Sequence, residues 1–296
     1  MSYGMPYKGS KNAIAKHVID MLPPADHFYD LFGGGGAISH CALESGKYKF
    51  VHYNELNPVV FEGFVKACMG KFREEKRWIS RDEFQSLKGS DPYVAICFSF
   101  GNNLRDYCYA KEIEQIKKGF HYSIFFNDNY ILKQLCPEFE YHYKSESIPE
   151  RRIELFSFIK KSKFDFSCGG TIPENAERLE RLQSLESLGV LQTAERLERL
   201  QYSCLSYDKV KIESDSVIYC DPPYIDTNKY SFDFDHEQFY KWARNQKNIY
   251  ISEYWMPADF KEIGFVKKQV LMDSKAKAKK EKLFTNVDQE TEFILC

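Results

Sequence analysis

Short apolar runs alternate with segments of helical periodicity in the first part of the chain. Runs at residues 28–32 and 49–53 predict buried strands, and apolar residues three and four apart predict helices over 14–21, 37–43 and 59–68. Strands that alternate with helices are typical of α/β proteins with a mostly parallel sheet. We therefore predict this fold class, with helices on both faces of the sheet.

A later apolar run, residues 217–219, predicts another buried strand. It leads into Asp221-Pro222-Pro223-Tyr224, and two prolines cannot continue a central strand because they lack N–H donors. The quartet is therefore expected at the carboxyl end of the strand, where ligands bind in open α/β sheets. A strand over 248–252 and a terminal hairpin within 284–295 would complete the sheet.

The middle of the chain contains an internal repeat. Residues 176–183 and 194–201 carry the same octapeptide, and two copies are too few for a free-standing repeat domain. We predict one or two helices, or a short irregular solenoid turn, there. The repeat-like part, 174–201, would belong to an inserted, mainly helical region over 64–203. The flanking segments 1–63 and 204–296 would form the α/β domain.

Composition narrows the class of protein. The 296 residues carry 41 basic and 43 acidic side chains, which excludes a chain coated in positive charge but leaves a local basic face possible. Nine scattered cysteines without a Cys-x-x-Cys pair indicate a reducing compartment, and no metal-ligand spacing is present. No apolar run reaches the length of a membrane span. We expect a cytoplasmic protein without membrane or metal partners.

The quartet has the chemistry to hold an amino group. Asp221 and the Pro222 carbonyl offer acceptors, and two acceptors aimed at one point suit the two hydrogens of an exocyclic amine. The ring of Tyr224 offers a face on which a base can stack. The alternative is a Pro-Pro turn with Asp221 as a helix cap.

A glycine run, Gly33 to Gly36, stands between the first strand and a helix. Glycines at such a turn let a ligand approach the backbone closely, as in nucleotide-binding folds. Glu55 follows the second strand, where an acid is expected to meet a ribose diol, and a helix cap is its alternative role. Lys11 follows Ser10, a predicted N-cap, and its charge suits a carboxylate or phosphate, although a plain N-terminal helix also explains the pattern.

Four motifs together resemble the Dam-type, or D12 class, DNA adenine-N6 methyltransferases of the α group. They are Tyr7-Lys8-Gly9-Ser10-Lys11, Asp30-Leu31-Phe32-Gly33-Gly34-Gly35-Gly36, Asn54-Glu55-Leu56-Asn57 and Asp221-Pro222-Pro223-Tyr224. Their order also matches the family, with the target-recognition region between the cofactor half and the catalytic motif. The resemblance covers most of the chain and is weakest over 139–203.

This resemblance implies a Rossmann-like methyltransferase sheet with S-adenosylmethionine as cofactor. It places Lys11 at the methionine carboxylate and Asp208 near the adenine. It also places Glu55 at the ribose, where the commoner residue of the family is Asp. Tyr7 stands where many members have Trp. The further implied cofactor contacts are Asp30, Phe32, Gly34, Gly36 and Asp221.

The segment around Asn102 resembles the Gly-Asn-Asn-x-Arg segment of phage-type members. Asn102, Asn103 and Arg105 are side chains of the kind that contact base edges, and Lys117 and Lys118 are of the kind that contact phosphates. A solvated loop and helix face is the alternative. The repeat-like part would lie beside the DNA face or serve association.

The expected function is methyl transfer from S-adenosylmethionine to the N6 amino group of adenine in duplex DNA, after the base flips out of the helix. Asp221, Pro222, Pro223 and Tyr224 would form the catalytic motif of a site-specific, monomeric enzyme in a bacterial or phage-infected cell, with or without a restriction partner. Alternatives are cytosine-N4 DNA methylation, RNA adenine methylation and a non-catalytic DNA-binding relative. Cytosine enzymes more often carry Ser in place of Asp221, which favours adenine.

Overall fold

The computed structural model describes residues 3–162, 194–224, 234–267 and 280–286. The chain forms two compact units, one from Met1–Lys71 with Ser184–Cys296 and the other from Phe72–Gln183. The described part of the first unit is α/β and that of the second is helical. The predicted α/β fold with a helical insertion is therefore confirmed. None of the helices within these ranges is long and apolar enough to span a membrane.

Helices and strands alternate from residue 15 to residue 68 of the first unit. The helices are α1 (Ala15–Met21), α2 (Ala37–Ser45), α3 (Pro58–Cys68), α4 (Arg81–Leu87), α5 (Pro92–Cys97), α6 (Lys111–Phe126), α7 (Tyr130–Leu135), α8 (Ile148–Ser162), α9 (Ala194–Arg199) and α10 (His236–Arg244). The strands are β1 (Ala25–Asp30), β2 (Tyr48–Asn54), β3 (Leu200–Ser203), β4 (Ser216–Cys220), β5 (Ile249–Glu253), β6 (Lys261–Lys267) and β7 (Lys280–Thr285). Helices α4 to α8 belong to the second unit.

The seven strands of the described residues form one mixed sheet in the order β3-β2-β1-β4-β5-β7-β6. Strands β1 to β5 run parallel, and β7 pairs antiparallel with both β5 and β6. The strand order therefore reverses between β1 and β4. In open α/β sheets, a crevice forms beyond the carboxyl ends of the strands at such a point.

Alternation along β1 directs its side chains to both faces of the sheet. Tyr29 belongs to a buried cluster with Phe239 of α10 and Ile218 of β4. Asp30 points the other way and accepts hydrogen bonds from Ser39 of α2. Helices therefore cover both faces, which explains why β4 is buried along its whole length.

The boundaries differ from the sequence expectation at both ends of the insertion. Phe64 lies in α3, and its ring packs 4.2 Å from that of Tyr53 in β2, so α3 belongs with the sheet. Leu200 to Ser203 pair with β2 as the edge strand. The first copy of the octapeptide lies outside the described residues, whereas the second forms α9 and the start of β3. The second copy of the repeat therefore forms a junction between a helix and a strand.

One local prediction is wrong. Ser10 is not the N-cap of α1, because that helix begins at Ala15 after Ile14, with no side-chain cap. The strand that pairs with β7 in an antiparallel ribbon is β6, which precedes it in the chain. Residues 287–295 of the predicted terminal hairpin lie outside the described residues.

Candidate active site

A pocket of about 300 Å³ lies at the carboxyl ends of β1, β2 and β4 in the first unit. Its size is at the lower end of the range for small-molecule sites. Most of the wall comes from the N-terminal stretch, the glycine loop after β1, the residues after β2 and the quartet after β4, and residues 205–207 and Phe234 complete it. Four stretches that are distant in sequence therefore meet at the point where the strand order reverses.

The quartet leaves the sheet directly after β4. The Pro223 carbonyl accepts a hydrogen bond from His236 Nε2 at 2.8 Å, which ties the quartet to the first turn of α10. The side chain of Asp235 caps α10, so Asp221 does not have the capping role at this helix that the turn interpretation gave it. The ring of Tyr224 lies 4.7 Å from that of Tyr254.

Lys11 is the centre of the polar contacts in the pocket. Its Nζ lies 2.6 Å from Asp221 Oδ2 and 3.1 Å from Glu281 Oε1, and it donates to the Tyr224 hydroxyl at 2.7 Å. That hydroxyl donates in turn to Asp221 Oδ1 at 3.2 Å. Because an ammonium has three hydrogens, these three acceptors match its capacity. Lys11 also lines the pocket. Because its three hydrogens already have acceptors, a ligand carboxylate that binds Lys11 would take the place of one of them.

These charges are largely shielded from water. The side chains of Lys11, Glu281 and Asp221 are 6%, 2% and 19% exposed. Burial alone lowers the pKa of the Lys11 ammonium, but Asp221 and Glu281 outweigh it and the net pKa is raised. Burial raises the pKa of Asp221, Lys11 opposes that rise, and Glu281 adds to it. The cluster therefore sets two carboxylates against one ammonium.

The Tyr224 phenol is a neutral donor in this cluster. Burial raises its pKa, and the charges of Asp221 and Glu281 raise it further. Its hydrogen occupies Asp221 Oδ1, while Lys11 occupies Oδ2. Both oxygens of Asp221 therefore have partners before any ligand is considered.

Asp30 lines the pocket but serves mainly to anchor α2. It is buried, and its Oδ2 accepts from the backbone N–H and the hydroxyl of Ser39 at 3.1 and 2.7 Å. Burial raises the pKa of Asp30 to about 7, and the hydrogen bonds from Ser39 oppose that rise. The carboxyl group therefore holds the start of α2 against the end of β1.

The glycines of the loop make room for neighbouring protein as well as for the pocket. A Cβ on Gly34 would lie 3.0 Å from the ring of Tyr7, and one on Gly36 would overlap the ring of Phe64. Gly34 lines the pocket, whereas Gly36 does not and forms the N-cap of α2. Close packing of Phe64 is thus the physical reason for glycine at position 36 in this structure.

Glu55 lines the pocket and braces the glycine loop. Its two carboxylate oxygens accept from the backbone N–H groups of Gly34 and Asn57, each at 2.8 Å. Burial raises the pKa of Glu55, and these backbone hydrogen bonds oppose the rise. Asn57 is the N-cap of α3, so the alternative interpretation of Glu55 as that cap is wrong.

Tyr7 and Phe32 also line the pocket, and Asp208 does not. The Phe32 ring lies 5.5 Å from that of Tyr207 and 5.7 Å from that of Phe234. Asp208 accepts from the Ser206 hydroxyl at 2.5 Å and pairs with Lys209. The three residues that precede Asp208, which are Leu205, Ser206 and Tyr207, line the pocket instead.

The candidate DNA-contacting residues all lie in the second unit. Asn102 has a left-handed backbone, and Asn103 Oδ1 accepts from the backbone N–H groups of Arg105 and Asp106, so these residues form a tight polar turn. The Arg105 side chain is exposed and pairs with Asp106 at 2.7 Å.

The two lysines of α6 differ in exposure. Lys118 is half-buried, with its Nζ 6.0 Å from the centre of the Tyr122 ring. Lys117 is buried, so it does not occupy the surface position that a phosphate contact requires.

Glu281 and Tyr254 were missed from sequence. Because side chains alternate between the two faces of a strand, Glu281 shares a face of β7 with the buried Leu283 and Thr285. A charged residue at such a position is unusual because full burial of Glu requires a partner. That alternation was the available signal. Tyr254 follows β5, and nothing in its local sequence indicates that its ring meets that of Tyr224.

No model of a known protein family matches the chain, and no curated protein matches it.

Proposed function

We propose that the protein is a DNA methyltransferase that uses S-adenosylmethionine to methylate N6 of adenine. The observation that carries the proposal is that one pocket joins the glycine loop after β1 to the Asp-Pro-Pro-Tyr quartet after β4. That pocket lies where the strand order reverses, which is the ligand site of Rossmann-like sheets. The mostly parallel sheet also agrees with the Rossmann-like methyltransferase sheet that the resemblance implies.

The residues of the pocket fit such a cofactor. Glu55 is held at the end of β2, where an acid meets a ribose diol in Rossmann-like sites. Phe32 and Tyr207 offer flat apolar surfaces, and Lys11 offers a cation for a carboxylate. When bound, S-adenosylmethionine supplies an electrophilic methyl group.

The quartet would position the target amino group. The Asp221 carboxylate and the Pro222 carbonyl accept its two hydrogens, and the Tyr224 ring stacks on the base. Extrusion of the base from the duplex costs a few kcal/mol, which these contacts must offset. The action of the chain is therefore mainly orientation of two reactants, from which roughly 7–11 kcal/mol is available in favourable cases.

Duplex DNA is proposed as the substrate on the family resemblance, and the second unit is consistent with it. Arg105 is exposed, and Asn103 holds the turn that presents it. Arginine and asparagine are side chains that contact base edges in the major groove.

Incubation with labelled S-adenosylmethionine and unmethylated duplex DNA tests the proposal. The DNA is digested to nucleosides, and the labelled nucleoside is identified by mass. Label on N6-methyldeoxyadenosine is the expected result. Label on N4-methyldeoxycytidine would change the base. Transfer to RNA in a parallel incubation, with none to DNA, would change the substrate, and cofactor binding without transfer to either would indicate a non-catalytic relative.

An Asp221→Ala variant tests the residues. It removes one acceptor for the amino group, and we expect methyl transfer to fall by about 10²–10³-fold, as when one aimed hydrogen-bonding group is removed from an active site. Asp259→Ala is the matched control, because Asp259 pairs with Arg244 on the surface. Full activity in the Asp221 variant would contradict the assignment.

A further inference from the structure

Glu281 is a buried carboxylate whose presence the proposed chemistry does not explain. It lies in β7, is 2% exposed, and has its Oε1 3.1 Å from the Lys11 ammonium. In the described part of the chain, neither of its oxygens has a hydrogen-bond partner other than the Lys11 ammonium. Burial of a charge is costly unless the charge is paired, so its tie to Lys11 is its main compensation.

Lys11 is shared between this carboxylate and Asp221. The two carboxylates come from strands on opposite sides of β5, and both lie within 3.1 Å of one ammonium. If Asp221 were paired with Lys11 alone, its carboxylate would be a weak hydrogen-bond acceptor, because the cation withdraws electron density from the carboxylate oxygens. A second carboxylate on the same cation restores that acceptor strength.

We propose that Glu281 is a positioning residue for methyl transfer, which keeps Lys11 in place while Asp221 turns to the target amino group. This inference rests on the proposed function of the pocket. Glu281 does not line the pocket itself and acts through Lys11. Two acceptors for one ammonium allow one to leave without stranding a buried cation.

Several charged or titratable groups face Asp221 from the surrounding elements. They are Lys11 before α1, Asp30 of β1, Tyr219 and Cys220 of β4, Tyr224, Glu253 of β5, Tyr254 after it, and Glu281 of β7. Among the largest influences on the pKa of Asp221 after burial, Lys11 lowers it and Glu281 raises it. A neutral residue at position 281 therefore lowers the pKa of Asp221.

The test is the pH profile of kcat for Glu281→Gln with duplex DNA and S-adenosylmethionine. Transfer requires the carboxylate form of Asp221, so the acid limb of the profile should move down by about one pH unit, with kcat at the plateau about tenfold lower. Glu281→Asp retains the charge and should keep the acid limb of the wild type.

The controls separate a positioning role from a structural one. Glu262→Gln removes an exposed carboxylate that pairs with Lys282 in the same ribbon, and it should match the wild type. Glu281→Met is a second neutral variant that replaces the buried charge with apolar volume, a change that proteins often tolerate. It should show the same shift of the acid limb, so it provides the test if Glu281→Gln does not fold.

The outcomes distinguish this inference from the proposed function. A folded wild-type protein that transfers no methyl group to DNA would contradict the proposed function itself. An active wild type whose neutral variants at position 281 keep its acid limb, whatever their kcat, would overturn the positioning role alone.

Discussion

The carboxyl edge of the sheet and the surface away from it use the same residue pairs in different environments. Lys11 pairs with Asp221 at 2.6 Å, and Lys16 pairs with Asp20 at 3.0 Å on the exposed side of α1. The first pair is 6% and 19% exposed, and the second is 73% and 56% exposed. Nearly equal distances thus describe one interaction that water screens and one that it does not.

Two further elements show the same contrast. The glycines at the two ends of α2, Gly36 and Gly46, have φ angles of 71° and 70°, yet only Gly36 has a ring against its Cα. The aspartates at the two ends of β1, Asp26 and Asp30, are exposed and buried respectively. Buried charge and close packing are therefore concentrated at one edge, as is common at functional sites.

The largest expected difference is between the two lysines. Lys11→Met leaves two buried carboxylates without their cation, and we expect a loss of about 3–5 kcal/mol in the free energy of unfolding. Lys16→Met removes an exposed helical pair that water screens, so the stability of this variant should stay close to that of the wild type. Denaturant unfolding at pH 8 measures both.

The pH dependence of the Lys11 variant sharpens the same comparison. A protonated carboxyl group does not need the cation, so the cost of Lys11→Met should shrink as the pH falls. Equal costs for the two lysine variants would show that burial does not govern these pairs.

Much of the candidate site could be predicted because its residues stand in local motifs. The glycine loop, Glu55 and the quartet each follow an apolar run, and the ends of parallel strands meet at one edge. The mostly parallel sheet could also be predicted from local patterns, because strands that alternate with helices are typical of α/β proteins. These inferences need only short stretches of chain and the general geometry of α/β folds.

The remaining contacts depend on packing between distant stretches. The acceptors of Lys11 include Glu281, which lies on the last described strand, and no local pattern indicates that pairing. Gly36 was expected to admit a cofactor, but the ring that needs its space belongs to Phe64 of α3. The ends of the insertion were misjudged because a helix packed on the sheet and an edge strand resemble inserted segments in sequence.

The glycine pair gives the next largest effect. Gly46→Ala places a side chain at positive φ in open space, which should cost about 1–2 kcal/mol of stability. Gly36→Ala has the same backbone cost and also overlaps the ring of Phe64, so it should cost about 1–3 kcal/mol more. Thermal or denaturant unfolding of the two variants gives the difference. If Gly36→Ala is no worse than Gly46→Ala, Phe64 does not pack as described.

The smallest effect concerns the aspartates of β1. The pKa of Asp30 is raised to about 7 in the folded protein, so between its unfolded pKa and pH 7 the folded state binds more protons than the unfolded state. This contribution to stability is therefore present at lower pH and is lost as the pH rises through 7, by about 1.4 kcal/mol between pH 6 and pH 8. Asp30→Asn removes the titration, so its stability relative to the wild type should rise by that amount over this interval. Asp26→Asn, a change at the exposed end of the same strand, is the control. A curve for Asp30→Asn that runs parallel to that of the wild type would contradict the buried, protonatable state of Asp30.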